Sequence, residues 1–423
     1  MNNIKLESYN LAKDYYSKFG IDTDYIISKL KSISITVHCW QGDDLQGFEK
    51  QSESLYGGGI LATGNFIGRA RNIRELQLDI EKAFSLISGK KKLALHAIYG
   101  DFGSNKVDRD EIEPINFLNW IDWAKKMKVG LDFNPTFFSH PKSEDGYTLA
   151  NRKKSIRKFW IEHLKRSREV SNFIGEQLNT CCINNIWIPD GEKDLTASRL
   201  YYREILISSL NDGFEKEFPK QNMRDSLESK LFGIGSESYV VGSHEFYLSY
   251  AIKNNKMITF DTGHYHPTEL VSDKISAVLP FINGMVLHLS RGVRWDSDHV
   301  PILSEELISI MCEIVRGNAF NKVFIETDFF DASINRIGAW VIGTRSVVKA
   351  ILYALLEPIE LLNKYERENK KFERLAIFEA LKTMPFESVW NYYLNINNMP
   401  SDFEMIKEIQ EYETDVLQKR KDL

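Results

Sequence analysis

The chain has 423 residues, of which 43% are hydrophobic and 27% charged, and carries a formal net charge of −5. These totals describe a globular protein with a substantial core, long for one average domain but ordinary for an α/β barrel. The acidic balance argues against a nucleic-acid-binding surface, which is normally basic, and no stretch approaches the ~18 uninterrupted apolar residues of a membrane span.

Cys39, Cys181, Cys182 and Cys312 lack CxxC spacing. They read as reduced, mostly buried thiols of a cytosolic protein. The start, Met-Asn-Asn-Ile-Lys-Leu-Glu, has no apolar h-region, so no export signal is expected.

Helical spacing covers residues 7–19 and stops at Gly20. A first strand follows at 34–40, rich in β-branched residues, and residues 42–66, with their glycines, read as a long loop over a site. A helix begins after Asn72, a plausible N-cap, and ends before Gly89. Strands at 92–99, 129–137 and 181–188 alternate with helices at 115–127, 152–178 and 200–214. The fifth strand, 226–231, holds Glu228 and Lys230 two apart, hence on one side. A helix near 243–252 leads to three last strands at 257–263, 284–290 and 322–328.

Eight βα repeats predict a closed (β/α)8 TIM barrel over residues 1–338, rather than an open doubly wound sheet. No Gly-rich dinucleotide fingerprint follows the first strand. From Ala339 onward the pattern is wholly helical, more than one closing helix requires. Residues 339–423 therefore read either as a helical layer packed on the barrel exterior or, the favoured reading, as a C-terminal helical arm that grips a neighbouring subunit, with the run Trp390-Asn-Tyr392-Tyr393 as aromatic anchors.

Short apolar runs ending in Asp, Glu or His are what a parallel barrel with its site at the strand C-termini requires. Glu228, Asp261, His264, His288, Asp296, Asp298 and Asp328 all fall at or just past such ends. Oxygen donors mixed with imidazole suit Mn²⁺, Mg²⁺ or Co²⁺, and the lack of thiolates argues against structural zinc. Seven donors exceed the needs of one ion. They divide into a buried group (Glu228, Asp261, His288, Asp328) and an outer group (His264, Asp296, Asp298). Any one alone would more often be a surface acid or a satisfied core histidine, but convergence at one barrel mouth reverses that reading. Lys230 reads as a counter-ion for these carboxylates and, compatibly, as a proton donor or an electrostatic clamp on a developing oxyanion. His96 and Trp187, near the ends of strands two and four, suit a sugar, whose C–H face stacks on a ring while its hydroxyls need partners. Plain core packing explains Trp187 equally well. His266 and His299 flank the donors and would at most support them.

Several runs resemble the bacterial L-rhamnose isomerases: 227–235 (Leu-Glu-Ser-Lys-Leu-Phe-Gly-Ile-Gly), 263–269 (Gly-His-Tyr-His-Pro-Thr-Glu), 294–300 (Arg-Trp-Asp-Ser-Asp-His-Val) and 328–336 (Asp-Phe-Phe-Asp-Ala-Ser-Ile-Asn-Arg). Runs 95–99, 130–135, 185–191 and 356–358 extend the likeness over nearly the whole chain. The resemblance implies interconversion of L-rhamnose and L-rhamnulose in a cytoplasmic homotetramer. It implies two divalent ions per subunit, usually Mn²⁺, with Co²⁺, Mg²⁺ or Zn²⁺ as substitutes. His264, Asp296 and Asp298 would hold the catalytic ion, and Glu228, Asp261, His288 and Asp328 the structural one. Glu326 and Thr327, just before Asp328, are more polar than expected of that family.

Such an isomerase opens the pyranose ring, then moves a hydrogen between C2 and C1 and a proton between O2 and O1. Water near Asp328 would shuttle the hydroxyl proton, while Lys230 supports charge on O1. Whether the carbon-bound hydrogen moves as hydride or through an enediol is open. The hydride shift is the working hypothesis, because no carboxylate free of metal duty is evident. Two rivals stand beside this reading. A barrel metallohydrolase acting on damaged DNA should show a basic face, and a sugar-binding scaffold would not require seven spare donors.

Overall fold

A computed structural model describes residues 3–49, 64–103, 106–230, 238–266, 268–293 and 298–420. Eight parallel strands close into one barrel: β1 (Ser34–His38), β2 (Lys90–His96), β3 (Gly130–Asn134), β4 (Cys182–Trp187), β5 (Met223–Glu228), β6 (Met257–Asp261), β7 (Met285–Leu289) and β8 (Val323–Thr327). Each pairs with its sequence neighbours, and β1 closes on β8 through Ile35 beside Ile325. Helices Ile73–Ser85, Leu118–Met127, Lys154–Leu178, Arg199–Gly213, His244–Lys253, Val271–Val278, Glu305–Arg316 and Arg336–Leu355 follow the strands in turn. The barrel is therefore the expected (β/α)8 form. A two-residue antiparallel ribbon, Gly191–Glu192 with Tyr239–Val240, links the loops after β4 and β5.

Local chemistry explains the helix ends. The Asn72 side chain accepts the Glu75 amide at 3.0 Å, as its position before an amphipathic run suggested. Lys128 and Asn179 end their helices at φ 57° and 50°, the left-handed cap conformation. Gly175 has a steric reason: a Cβ there would lie 1.8 Å from the Asn222 carbonyl oxygen just before β5. Helix Thr23–Ser32, absent from the sequence reading, is capped by Asp22, whose carboxylate accepts the amides of Asp24 and Tyr25.

The strands end one to three residues before their expected ends. Past these points the chain loses its ladder partner and turns over the barrel mouth, as in the single turns Trp40–Gly42 and Ala97–Tyr99. Lys230 thus lies beyond β5 rather than within it, and Asp328 is the first residue after β8.

Below the mouth the barrel interior is polar. The Thr36 hydroxyl donates to Asp132 at 2.7 Å, Lys92 pairs with the same carboxylate, and Thr259 donates to Asn185 at 2.6 Å. Helix Arg336–Leu355 is long and apolar enough to cross a membrane by length and composition, yet 83% of that stretch is buried within this fold. It runs across residue 339, so the last barrel helix and the start of the expected arm are one element, and the chain breaks next at Glu357–Pro358. Four more helices follow: Ile359–Arg367, Lys371–Leu381, Phe386–Ile396 and Glu404–Asp415.

The aromatic anchors expected to grip a neighbour are spent inside this chain. Trp390 and Tyr393 are buried, and the Trp390 indole donates to Asp402 at 3.0 Å. Tyr392 stacks on Tyr9 of the first helix with centroids 3.7 Å apart. Among the described residues, the large apolar side chains left exposed on this arm are Ile342, Phe372, Leu375, Phe403 and Ile406. All four cysteines are unpaired, and all but Cys181 are buried.

Candidate metal centre

Four neighbouring strands deliver the buried donors. Glu228 ends β5, Asp261 ends β6, His288 lies on β7 and Asp328 follows β8. One ligand atom from each of the four falls within 4.8 Å of the others. His288 Nδ1 stands 3.3 Å from Glu228 Oε2 and 3.1 Å from Asp328 Oδ2. Sheet register explains the convergence, since Asp261 and His288 are direct cross-strand partners.

A second group joins Asp261, His264 and Asp298, again within 4.8 Å. His264 Nδ1 lies 2.9 Å from the Ser229 carbonyl, which it reaches as a donor, and Nε2 lies 3.8 Å from Asp261 Oδ2. Asp298 has φ 42°, a strained backbone for a non-glycine residue, of the kind stored at functional sites. The outer group therefore differs from expectation: Asp261 stands in both groups, and Asp296 lies outside the described residues.

The donor set fits divalent cations of the oxygen-loving kind. It combines carboxylates and imidazoles without thiolate. Asp261 Oδ2 and His288 Nδ1 are buried with no hydrogen-bond partner. Each such atom costs about 1–3 kcal/mol unless something takes its lone pair, and a cation does that for both. The electrostatics agree. Burial pushes the Asp261 carboxyl up to about 7, with Asp328 and Glu228 adding to the rise. Burial also works against the charged forms of Asp328 and His288, yet contact with His288 holds the acid low, and the Glu228 charge, with contacts to Asp328 and Glu326, holds the imidazole high.

Hydrogen bonds hold this geometry from outside. The Asn185 amide donates to Glu228 at 2.6 Å and to Asn134 at 3.0 Å. The Trp40 indole donates to Asp328 at 2.9 Å.

Above the donors lies a cavity lined by both His96 and Trp187 and also by Lys230. Lys230 Nζ stands 4.7 Å over the Trp187 ring. His96 makes edge contacts with Trp40 and Phe138, and burial drives its pKa down to about 3, so the ring is neutral. His266, by contrast, is exposed and bonds Thr268. The His299 carbonyl accepts the Arg291 amide across the loop after β7.

A profile of the L-rhamnose isomerase (RhaA) family matches residues 3–420. The chain belongs to the L-rhamnose isomerase family. Curated relatives of that name agree in length and in sequence. The Rhodopirellula baltica protein is 51% identical over 416 residues, covering 98% of this chain and 97% of the relative. The Listeria monocytogenes protein is 51% identical over 412 residues, covering 97% and 98%. The Salmonella gallinarum protein is 48% identical over 414 residues, covering 98% of each.

In this L-rhamnose isomerase family member, the cavity also uses residues the sequence reading passed over. Trp40, Leu45, Phe138 and Phe330 form much of its apolar wall, and Asn134 and Asn185 its polar edge. Trp40 and Phe138 stand just beyond strand ends, which is the signal that could have found them. Leu45, at φ 58° in a loop, carries no such mark.

Proposed function

We propose that this chain interconverts L-rhamnose and L-rhamnulose at the mouth of the barrel, with two divalent ions bound. The observation that carries the proposal is the convergence of Glu228, Asp261, His288 and Asp328 within 4.8 Å beneath a cavity walled by indole and imidazole. Ketose formation from L-rhamnose, assayed with and without chelator, tests it. Metal-dependent turnover is expected, and no turnover with added Mn²⁺ would sink it.

We assign His264, Asp298 and Asp296 to the ion nearest the reacting carbons. Glu228, Asp261, His288 and Asp328 hold the deeper one, with Asp261 able to serve both. When bound, the ions polarise the sugar carbonyl and lower the energy of the neighbouring alkoxide.

The protein's own groups do the rest. Trp187 offers a flat face to the C–H side of the sugar, and neutral His96 offers a hydrogen-bonding edge. Asp328, fixed by the Trp40 N–H, is placed to orient the water that would shuttle the proton leaving a sugar hydroxyl. The Lys230 ammonium stabilises negative charge growing on O1. Phe138, Phe330 and Leu45 keep water from the open-chain sugar.

Mn²⁺ is the ion we assign, on the mixed carboxylate and imidazole donors. We place the enzyme in the cytoplasm, which four unpaired cysteines support. A homotetramer is the assembly we assign, with the helices after residue 338 as the oligomerisation arm. Phe372, Leu375 and Phe403, exposed there, support it, and sedimentation of the native chain tests it.

A further inference from the structure

Glu326 is the unexplained charge in the barrel. It is 1% exposed, the fourth of five residues in β8, where an apolar side chain would fill the space without desolvating a carboxylate. Alternation puts it on the same side of the strand as Asp328, facing inward. Register places it directly beside His288, its cross-strand partner on β7. Their side chains meet: Glu326 Oε2 lies 3.4 Å from His288 Nε2, on the edge of the ring opposite the donor cluster. Its other oxygen, Oε1, is buried with no partner. On the far side, Thr36 of β1 stands beside both Glu326 and Lys92 in the sheet. Lys92 is already committed to Asp132 and to the Cys181 carbonyl. A full ion pair with that lysine therefore does not explain Glu326, whereas the imidazole edge does.

A neutral histidine has one N–H and one lone pair, and which nitrogen carries which is set by what the other nitrogen meets. For His288 to present a lone pair at Nδ1 toward Glu228 and Asp328, the proton must sit on Nε2. There it needs an acceptor in a place water does not reach. We propose that Glu326 is a positioning residue that accepts the Nε2–H of His288 and so locks the tautomer and ring orientation in which Nδ1 binds the deeper cation. An anionic acceptor behind an imidazole also makes the opposite nitrogen a stronger donor. This rests on the metal-centre reading above. β8 thus supplies both a ligand, Asp328, and the prop for its neighbour's ligand, two residues apart on one face.

The test uses the full chain, stripped of metal and titrated with Mn²⁺, comparing wild type with Glu326→Met and Glu326→Gln. Methionine fills similar volume but cannot hold the hydrogen, whereas the glutamine carbonyl still accepts it. Glu326→Met is expected to weaken one of two Mn²⁺ sites by about 10- to 100-fold and leave the other unchanged. Glu326→Gln should recover most of that loss. A purely space-filling role would affect the two variants alike and both sites together, which would overturn the proposal. Nitrogen-15 spectra of the Mg²⁺-loaded wild type, labelled at histidine, provide a readout that needs no variant. The His288 proton should reside on Nε2, and finding it on Nδ1 overturns the proposal even if Glu326→Met fails to fold. Wild type that binds no divalent ion would instead bring down the metal-centre reading itself. Two intact sites in wild type and in both variants would remove only the role of Glu326.

Discussion

The Lys230 ammonium stands 4.7 Å from the centroid of the Trp187 ring, so the residue assigned to charge stabilisation rests on the residue assigned to sugar stacking. Trp187 ends β4 beside Glu228, and Lys230 follows two residues later, which brings the three together at one point on the rim. A cation over an indole face is attracted by the negative face of the ring. Lys230→Met is expected to lower kcat by about 10²-fold with KM little changed, as for loss of one oxyanion donor. Trp187→Leu should act mainly on KM, by about tenfold, for loss of a stacking contact worth ~1.4 kcal/mol. Steady-state kinetics separates the two. A Lys230→Met enzyme impaired only in KM would make the lysine a binding group.

The donor cluster links metal to stability. Glu228, Asp261 and Asp328 converge in a buried space, where like charges repel unless a cation lies between them. Stripping with a chelator should lower Tm. Adding Mn²⁺ at 100 times Kd should restore about 2.7 kcal/mol per site. Glu228→Gln removes one charge from the cluster and should reduce the number of ions bound while raising Tm of the stripped protein. Thermal scans with and without Mn²⁺ check both, and a Tm indifferent to the ion would contradict the assignment.

The cavity bears on the route taken by hydrogen. Among the described residues, its carboxylates are Glu228, Asp298 and Asp328, and all three belong to the donor groups. Glu326 is a further acid, but it lies behind His288 and does not line the cavity. Among the described residues, no carboxylate outside the donor groups lines the cavity, and a direct shift from C2 to C1 is expected. L-rhamnose deuterated at C2 should give ketose that keeps the label at C1. Complete exchange with solvent would establish an enediol route.

Three buried histidines predict how the fold responds to acid. His163 accepts the Thr136 amide at Nε2 and donates from Nδ1 to the Arg109 carbonyl, both at 2.9 Å, which is possible only for the neutral ring. Burial lowers its pKa to about 3, that of His96 to about 3 and that of His38 to about 4. The unfolded chain protonates these rings near pH 6.5, so below that pH it binds more protons than the folded state. Their contribution is intact above pH 6.5 and is lost as pH falls toward 4 for His38 and toward 3 for His96 and His163, at up to about 1.4 kcal/mol per pH unit for each ring. Denaturant midpoints between pH 7.5 and 5 should show this fall. His163→Gln should flatten the slope by about one proton, and an unchanged slope would mean that the ring is charged in the fold.

What the sequence determined by itself is local in origin. Alternation, β-branched runs and cap residues such as Asn72 act over a few positions, so eight strands, most helices and the polar strand ends were legible in order. The candidate donors were legible too, because a parallel barrel collects its strand ends at one mouth whatever the exact register. Tertiary structure alone decided how those ends meet. Only register and closure bring Asp261 into both donor groups, set Glu326 behind His288, and carry the Trp40 indole to Asp328. The same holds for Trp390 and Tyr393, whose aromatic spacing suggests a partner but whose surface is covered by this chain. Residues far apart in sequence meet when whole elements pack, and no short-range pattern records which face of each element will be covered.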